Sequence, residues 1–219
     1  EIERRLGYEY PFSQLEGVVA KRIASKLDPT EADSEYFASR RPSFAGRGRL
    51  TPAQRGTATH RFMQYADYSR ACKSVADELT RLTEDGMLTA EEANAVDARP
   101  VARFFDSGLY ARMSRAERIY KEYSFTCSVP VSELYPQLPC GLADGEVVLI
   151  EGVADCAFVE GGKLVVVDYK TDKASSAAEL AERYGAQLGI YRRCLAEVLG
   201  MPVKETVIYS FRLNESITL

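Results

Sequence analysis

Apolar residues follow a helical spacing in the first half of the chain and an alternating spacing in much of the second half. In the first half they recur every three or four residues, which predicts helices over residues 13–27, about 56–70 and, with interruptions, 71–118. Ser13 and Glu16 form a capping-box sequence at the start of the first helix. The third region is expected to bury Leu79, Leu82, Val96, Val101, Phe104 and Phe105.

The alternating pattern begins near residue 121 and predicts a sheet. Strands are predicted over residues 121–131, 146–159 and 163–170, and a further strand over 205–212. A helix predicted over 177–199 separates the last two strands. The order of helices, a mostly antiparallel sheet, a helix and a strand predicts an α/β or α+β sandwich.

The helix predicted over 177–199 has a signal at each end. Ser176 and Glu179 form a capping box, while Gly200 and Pro202 follow the last apolar position. Its buried stripe is expected to consist of Leu180, Tyr184, Leu188, Tyr191, Leu195 and Leu199.

Gly161-Gly162 predicts a tight hairpin between the second and third strands. If Glu160 pairs with Lys163 across this turn, the register places Asp155 opposite Asp168. Two carboxylates facing each other within apolar strands repel, so a shared proton or a divalent cation is needed to offset the repulsion. A register slipped by a residue or two would instead keep the aspartates apart.

Lys170 lies two residues after Asp168 and therefore on the same face of its strand. A cation that polarises a phosphate, with an ammonium group beside it, is suited to phosphodiester hydrolysis. A plain salt bridge between Asp168 and Lys170 is the alternative.

The composition indicates one folded domain. The 219 residues are 46% hydrophobic and 27% charged, as is usual for globular proteins. Residues 28–54 are polar, basic and rich in proline, which predicts a flexible linker. Because the chain begins at Glu1, we expect it to be part of a longer polypeptide. No apolar run approaches the roughly 18 residues that span a membrane, and no signal peptide is visible.

The five cysteines are scattered and never spaced as CxxC; they are Cys72, Cys127, Cys140, Cys156 and Cys194. This spacing favours reduced cysteines in a cytoplasmic protein over a disulfide framework or a zinc ribbon. It also argues against an iron–sulfur cluster, which needs four converging cysteine ligands.

Four short motifs then occur in the order of a known family: R-G-T-A-T-H (55–60), G-V-A-D (152–155), D-Y-K (168–170) and Q-L-G-I-Y (187–191). Together they resemble the RecB-like branch of the PD-(D/E)xK nucleases. Nearly the whole chain, most loosely 71–118, is similar to the C-terminal nuclease domains of AddA-type helicase–nucleases.

The resemblance implies a single RecB-like domain over 1–219, with a mixed sheet flanked by helices. A helical insertion over 55–118 would carry His60, and 121–212 would form the sheet core with helix 177–199. It further implies a divalent ion, Mg²⁺ or Mn²⁺, held by the side chains of His60, Asp155 and Asp168 and the backbone carbonyl of Tyr169. Lys170 would be the catalytic lysine. Taken alone, His60 would be an ordinary half-buried imidazole.

Gln187 and Tyr191 lie on one face of their helix. They are either boundary and core residues, or catalytic residues whose polar ends reach the active site or the DNA backbone. Gly185 and Gly189 favour the second interpretation, because each costs about 1 kcal/mol relative to alanine and would permit close approach to the sheet or to DNA. Glu122 could belong to the same site, but a solvated strand glutamate fits equally well.

The function implied is metal-dependent hydrolysis of DNA, by an exonuclease acting in double-strand-break repair and recombination. The partners implied are single-stranded DNA, the ATP-dependent helicase domains of the parent chain and a partner protein of the AddB type. The net charge of −4 and a pI near 5.3 give no basic footprint, so a motor or a metal must help to hold the strand. Alternatives are a non-catalytic docking module, a stand-alone nuclease and a hydrolase of another phosphoester.

Overall fold

The described part of the chain forms one six-stranded sheet with helices on both faces. The computed structural model describes Leu15 and residues 17–24 and 51–219. Its strands are β1 (Lys21–Ile23), β2 (Arg118–Pro130), β3 (Val147–Glu160), β4 (Lys163–Lys170), β5 (Val203–Ser210) and β6 (Glu215–Thr218).

Strand β3 is the centre of the sheet. On one edge it pairs antiparallel with β2 along most of its length. Its other edge is shared, since β1 pairs in parallel with its first half and β4 pairs antiparallel with its second half. Strand β5 is parallel to β4, and β6 is antiparallel to β5. The sheet is therefore mixed, which confirms the predicted α/β class.

Six helices pack on one face of the sheet, against β3, β4 and β5. They are called here the helical lobe: α1 (Pro52–Tyr65), α2 (Tyr68–Ala71), α3 (Val75–Glu84), α4 (Ala90–Ala95), α5 (Ala98–Phe105) and α6 (Gly108–Met113). A one-turn helix, α7 (Val131–Leu134), follows β2. Five of the six predicted core residues of the lobe are buried, and Leu79 is partly buried against them.

The opposite face of the sheet is covered mainly by α8 (Ala177–Leu199), whose bounds are those predicted. Val131 of α7 is buried in the same core. The hydroxyl of Ser176 accepts a hydrogen bond from the Glu179 N–H at 3.2 Å. The Glu179 carboxylate accepts from Ser175 at 2.7 Å, so the reciprocal bond of the predicted capping box is displaced by one residue. Gly200 ends the helix with a φ of 63°.

The hairpin between β3 and β4 has the predicted turn and register. Both Gly161 and Gly162 have positive φ, which only a glycine adopts readily. The ladder runs from the Glu160–Lys163 pair to the Cys156–Val167 pair, as expected.

The N-terminal predictions require correction. Residues 21–23 form β1 rather than part of a helix over 13–27, because their backbone pairs with β3; the proposed Ser13–Glu16 capping box lies outside the described residues. Most of the linker predicted over 28–54 also lies outside them, but its last residues begin α1. Thr51 caps that helix and exchanges hydrogen bonds with Gln54.

Two cysteines contradict the prediction that all five are reduced. Cys127 on β2 and Cys194 on α8 form a disulfide, with Cα atoms 5.6 Å apart and a sequence separation of 67. Their spacing gave no sign of this pair, because only the packing of α8 across β2 brings them together. Among the described residues, no helix has the length and hydropathy that a bilayer crossing requires.

Candidate active site

Helix α1 brings His60 to the sheet through a close approach at Gly56. A Cβ atom on Gly56 would lie 2.7 Å from the Thr171 hydroxyl oxygen, so only glycine lets the helix come this near to the end of β4. One turn later, His60 Nδ1 lies 3.3 Å from Asp155 Oδ1. The R-G-T-A-T-H motif therefore has a packing role at its glycine as well as an imidazole at its end.

Asp155 lies where the β3–β4 ladder ends. The ladder stops at Cys156–Val167, one pair short of the predicted Asp155–Asp168 pair. Instead, Asp155 Oδ2 accepts a hydrogen bond of 2.8 Å from the backbone N–H of Tyr169. The register is the predicted one, but the hydrogen-bonded ladder ends before the two aspartates, because the Asp155 side chain takes the place of a backbone partner.

Glu122 joins this cluster from β2. The β2–β3 ladder pairs Lys121 with Cys156 and Tyr123 with Ala154, which places Glu122 at the position facing Asp155. Its φ of 45° is rare for a residue with a side chain and is a conformation that clusters at functional sites. Ligand atoms of His60, Glu122 and Asp155 all lie within 4.8 Å of one another.

Glu122 is not among the site residues that the sequence predicts with its motifs. The signal that could have included it is the β2–β3 register, because a pairing of Lys121 with Cys156 carries Glu122 to Asp155. That pairing could not be derived without a tight turn to fix it, and the connection from β2 to β3 spans residues 131–146.

The three groups influence each other's protonation. Burial alone lowers the pKa of His60, but the Asp155 carboxylate more than compensates and raises it to about 9. Burial opposes ionisation of Asp155, yet His60 and the Tyr169 N–H hold its pKa below the usual value. Burial, followed by the charge of Asp155, raises the pKa of Glu122 to about 7. The cluster thus concentrates negative charge that a single imidazole only partly balances.

Asp168 and Lys170 lie on the α8 side of the sheet. Asp168 is 4% exposed, and its Oδ2 lies 3.2 Å from Lys170 Nζ. Among the described residues that oxygen meets no group with hydrogen-bond geometry. Burial outweighs the lysine charge and raises the pKa of Asp168 to about 6. The predicted neighbourhood of Asp168 and Lys170 is therefore observed.

Gln187 and Tyr191 are both buried and contact each other. The Gln187 amide donates a hydrogen bond of 3.1 Å to the Tyr191 hydroxyl. Burial raises the pKa of Tyr191, and the Asp168 and Asp155 carboxylates raise it further, so Tyr191 lies within range of their charges. A Cβ on Gly185 or Gly189 would meet nothing within 4 Å, so the predicted close approach of these glycines to the sheet is wrong.

This donor set fits a hard divalent cation. Carboxylate oxygens are preferred by Mg²⁺ and Mn²⁺, and one imidazole is compatible with Mn²⁺. His60, Glu122 and Asp155 already have ligand atoms within 4.8 Å of each other, and the buried Asp168 oxygen lacks a hydrogen bond from the described residues. The Tyr169 carbonyl, predicted as a further ligand, stays a prediction.

The fold and these residues define a class of protein. Residues 34–217 match the family model of the PD-(D/E)XK nuclease superfamily, and the chain belongs to this superfamily.

Three curated relatives are each named as the A subunit of an ATP-dependent helicase/nuclease. The chain is 33% identical over 236 residues to the relative from Geobacillus thermodenitrificans, covering 96% of this chain and 19% of the relative. It is 33% identical over 232 residues to the relative from Desulforamulus reducens, covering 99% and 18%. It is 31% identical over 223 residues to that of Clostridium kluyveri, covering 96% and 18%. The chain therefore spans about a fifth of the length of the relatives it matches.

Proposed function

We propose that this chain is the nuclease domain of a helicase–nuclease and that it hydrolyses DNA phosphodiester bonds with a divalent cation. The observation that carries the proposal is the meeting of two groups of side chains at the end of the β3–β4 ladder. His60, Glu122 and Asp155 form one group. The Asp168–Lys170 pair forms the other.

Each residue has a role that its position supports. His60, Asp155 and Asp168 would hold Mg²⁺ or Mn²⁺, with Glu122 as a further ligand beyond those predicted from the sequence. A cation bound there lowers the pKa of water and neutralises charge on the phosphate. The Lys170 ammonium would donate to a phosphate oxygen or orient the attacking water.

The remaining groups keep this arrangement in place. The Tyr169 N–H fixes the Asp155 carboxylate, so the ligand oxygen has one orientation before any ion binds. Gln187 and Tyr191 are joined by a hydrogen bond on the α8 side of the sheet, and Tyr191 lies within range of the charges of Asp168 and Asp155. We assign this pair to contact with the scissile phosphate or the adjacent DNA backbone.

The acidic chain suits delivery of its substrate by another domain. A net charge of −4 gives little general attraction for DNA. The names of the relatives join a helicase to the nuclease. We propose that helicase domains of the same polypeptide feed single-stranded DNA to an exonuclease site in the cytoplasm, together with a partner protein of the AddB type, during double-strand-break repair and recombination.

The first experiment is cleavage of end-labelled linear single-stranded DNA with Mg²⁺ or Mn²⁺. The wild-type chain is compared with Asp168→Ala and Lys170→Ala. The matched controls are Asp144→Ala, on a turn, and Lys163→Ala, at the opposite end of β4 from the site. We expect metal-dependent cleavage that is lost in the first two variants and retained in the controls. Circular single-stranded DNA in a parallel reaction tests the exonuclease assignment, since it offers no end.

If the wild-type chain cuts no DNA, the next experiment is its calorimetric titration with Mn²⁺. Binding that is abolished by Asp155→Ala indicates an intact site that needs its motor. A wild-type chain that neither cuts DNA nor binds Mn²⁺ contradicts the proposal and favours a non-catalytic docking module.

A further inference from the structure

The ammonium group of Lys170 lies over an aromatic ring. Its Nζ atom is 3.8 Å from the centroid of the Tyr184 ring. Tyr184 is 3% exposed and the Lys170 side chain 14% exposed, so little water separates or screens the two groups. A cation over a desolvated ring face is attracted by the ring quadrupole.

A hydrogen bond holds Tyr184 in place in addition to the core packing of its ring. Its hydroxyl donates a hydrogen bond of 3.0 Å to Asp172 Oδ2. The guanidinium of Arg183 donates to the same oxygen at 2.9 Å and to Glu179 at 2.6 Å. Asp172 follows Lys170 by two residues, so these bonds tie α8 to the end of the strand that carries the lysine.

We propose that Tyr184 is a positioning residue for Lys170, an inference that rests on the proposed catalytic role of this lysine. Lysine has a flexible stem with many rotamers, and holding it in one of them costs conformational entropy. The Tyr184 ring on one side and the Asp168 carboxylate at 3.2 Å on another define where the ammonium lies.

An aromatic ring is better suited to this task than a second carboxylate. The ring attracts the ammonium without adding a negative charge, which would repel the phosphate backbone and compete with it for the lysine. It also excludes water from the ammonium and so strengthens its interaction with a phosphate oxygen.

The alternative is that Tyr184 serves only as part of the buried stripe of α8, in which case leucine would replace it well. The test compares Tyr184→Leu, which removes the ring, with Tyr184→Phe, which keeps the ring and removes only the hydroxyl. Tyr120→Leu is the matched control, because Tyr120 also packs against a cation, Arg118, but does so outside the site.

In the DNA cleavage assay we expect Tyr184→Leu to lower kcat about tenfold with little change in KM. We expect Tyr184→Phe to restore most of the loss and Tyr120→Leu to cut like the wild type. Mn²⁺ affinity should be unchanged in Tyr184→Leu, because its ring is not a ligand. Wild-type kcat in Tyr184→Leu, in a chain whose activity Lys170→Ala abolishes, overturns the inference and leaves the proposed function standing.

A second readout does not depend on activity. Protons of the Lys170 ε-methylene group next to the ring face should resonate upfield of other lysines in lysine-labelled protein, assigned by their loss in Lys170→Arg. Tyr184→Leu should return them to the usual position while Tyr184→Phe should not. If the wild type cuts no DNA, this upfield shift still reports whether Lys170 lies over the Tyr184 ring. A wild-type spectrum without the shift overturns the inference.

Discussion

The two faces of the sheet contribute to the site in different ways. The helical lobe supplies His60, whose imidazole faces Asp155 at 3.3 Å. On the other face, α8 supplies no charged ligand but places Tyr184 against Lys170, and its Tyr191 lies within range of the charges of the two aspartates. The aspartates respond in opposite directions, since the His60 charge overcomes burial and lowers the pKa of Asp155, whereas burial outweighs Lys170 and raises that of Asp168 to about 6.

The proposed metal site is therefore divided between two packing environments. One carboxylate is already compensated by an imidazole and a backbone N–H. The other is buried with a lysine and no hydrogen bond to one of its oxygens from the described residues. The Asp155 carboxylate therefore has a fixed orientation, whereas the Asp168 carboxylate keeps an oxygen with capacity to bind a cation. Substitutions confined to one side can therefore separate the two contributions.

The largest effect is expected from Asp155→Asn, which removes the charge that both His60 and the bound cation need. Mn²⁺ affinity measured by calorimetry should fall by more than the roughly 100-fold typical for loss of an outer partner of a metal ligand. Cleavage should be lost with it. Asp85→Asn, on the exposed end of α3, is the control. Mn²⁺ binding of wild-type strength in Asp155→Asn would remove this residue from the metal site.

Gly56→Ala should come next, because its Cβ would lie 2.7 Å from the Thr171 hydroxyl oxygen and push α1 away from β4. Misplacing His60 by a fraction of an ångström should lower kcat about 10- to 100-fold. The double variant Gly56→Ala/Thr171→Ala removes the overlap and should recover activity. Gly108→Ala, where a Cβ meets nothing within 4 Å, is the control. No recovery in the double variant would mean that the glycine acts in another way.

Gly152→Ala tests the α8 face through stability. Its Cβ would lie 2.5 Å from the Phe125 ring, which packs against Tyr191 with centroids 5.3 Å apart. The overlap should lower the free energy of unfolding by about 1–3 kcal/mol in urea titration. Gly189→Ala has open space at its Cβ and should instead stabilise α8 by about 0.5–1 kcal/mol. Equal effects from the two substitutions would contradict this account of Gly152.

The smallest effect concerns the Glu160 carboxylate, to which Arg112 and Lys204 donate hydrogen bonds. Arg112, followed by Lys204, lowers the pKa of Glu160 to about 2. Because the pKa falls on folding, the stabilisation is complete above about pH 4.5 and is lost as the pH drops toward 2. Glu160→Gln should therefore cost under about 1 kcal/mol at pH 7 and less at pH 3, measured by urea unfolding. Glu84→Gln is the control, and a cost independent of pH would exclude this ion pair as its source.

Elements with strong local signals were predicted well. Helix α8 has an apolar stripe and stop signals at its end, and the Gly161-Gly162 turn fixes the β3–β4 register. The sequence predicts the short helices of the lobe only as one region over 71–118. Each of them begins at a local cap such as Ser74 or Thr89 and is too short for a long apolar repeat. The sequence predicts helix at β1, because the three residues of this strand take their extended conformation from pairing with β3.

In the candidate site, too, the sequence predicts the local arrangements and misses those that depend on tertiary packing. Local alternation placed Lys170 beside Asp168, and the observed ion pair agrees. The position of Glu122 and the cation–π contact of Tyr184 depend on which strand or helix lies across from them. Tertiary packing of this kind leaves no mark in the spacing of residues along the chain, and the same holds for the Cys127–Cys194 pair.

The parallel pairing of β4 with β5 has a consequence for the order of folding. The connection between these two parallel strands contains the whole of α8, and pairings between segments distant in sequence form slowly. Asp168 and Lys170 lie in β4, so their final positions depend on residues made about 40 positions later in synthesis, at β5. A partly synthesised chain that already contains His60 and Asp155 therefore lacks a complete site, and the proposed nuclease site is completed only when β5 has paired with β4.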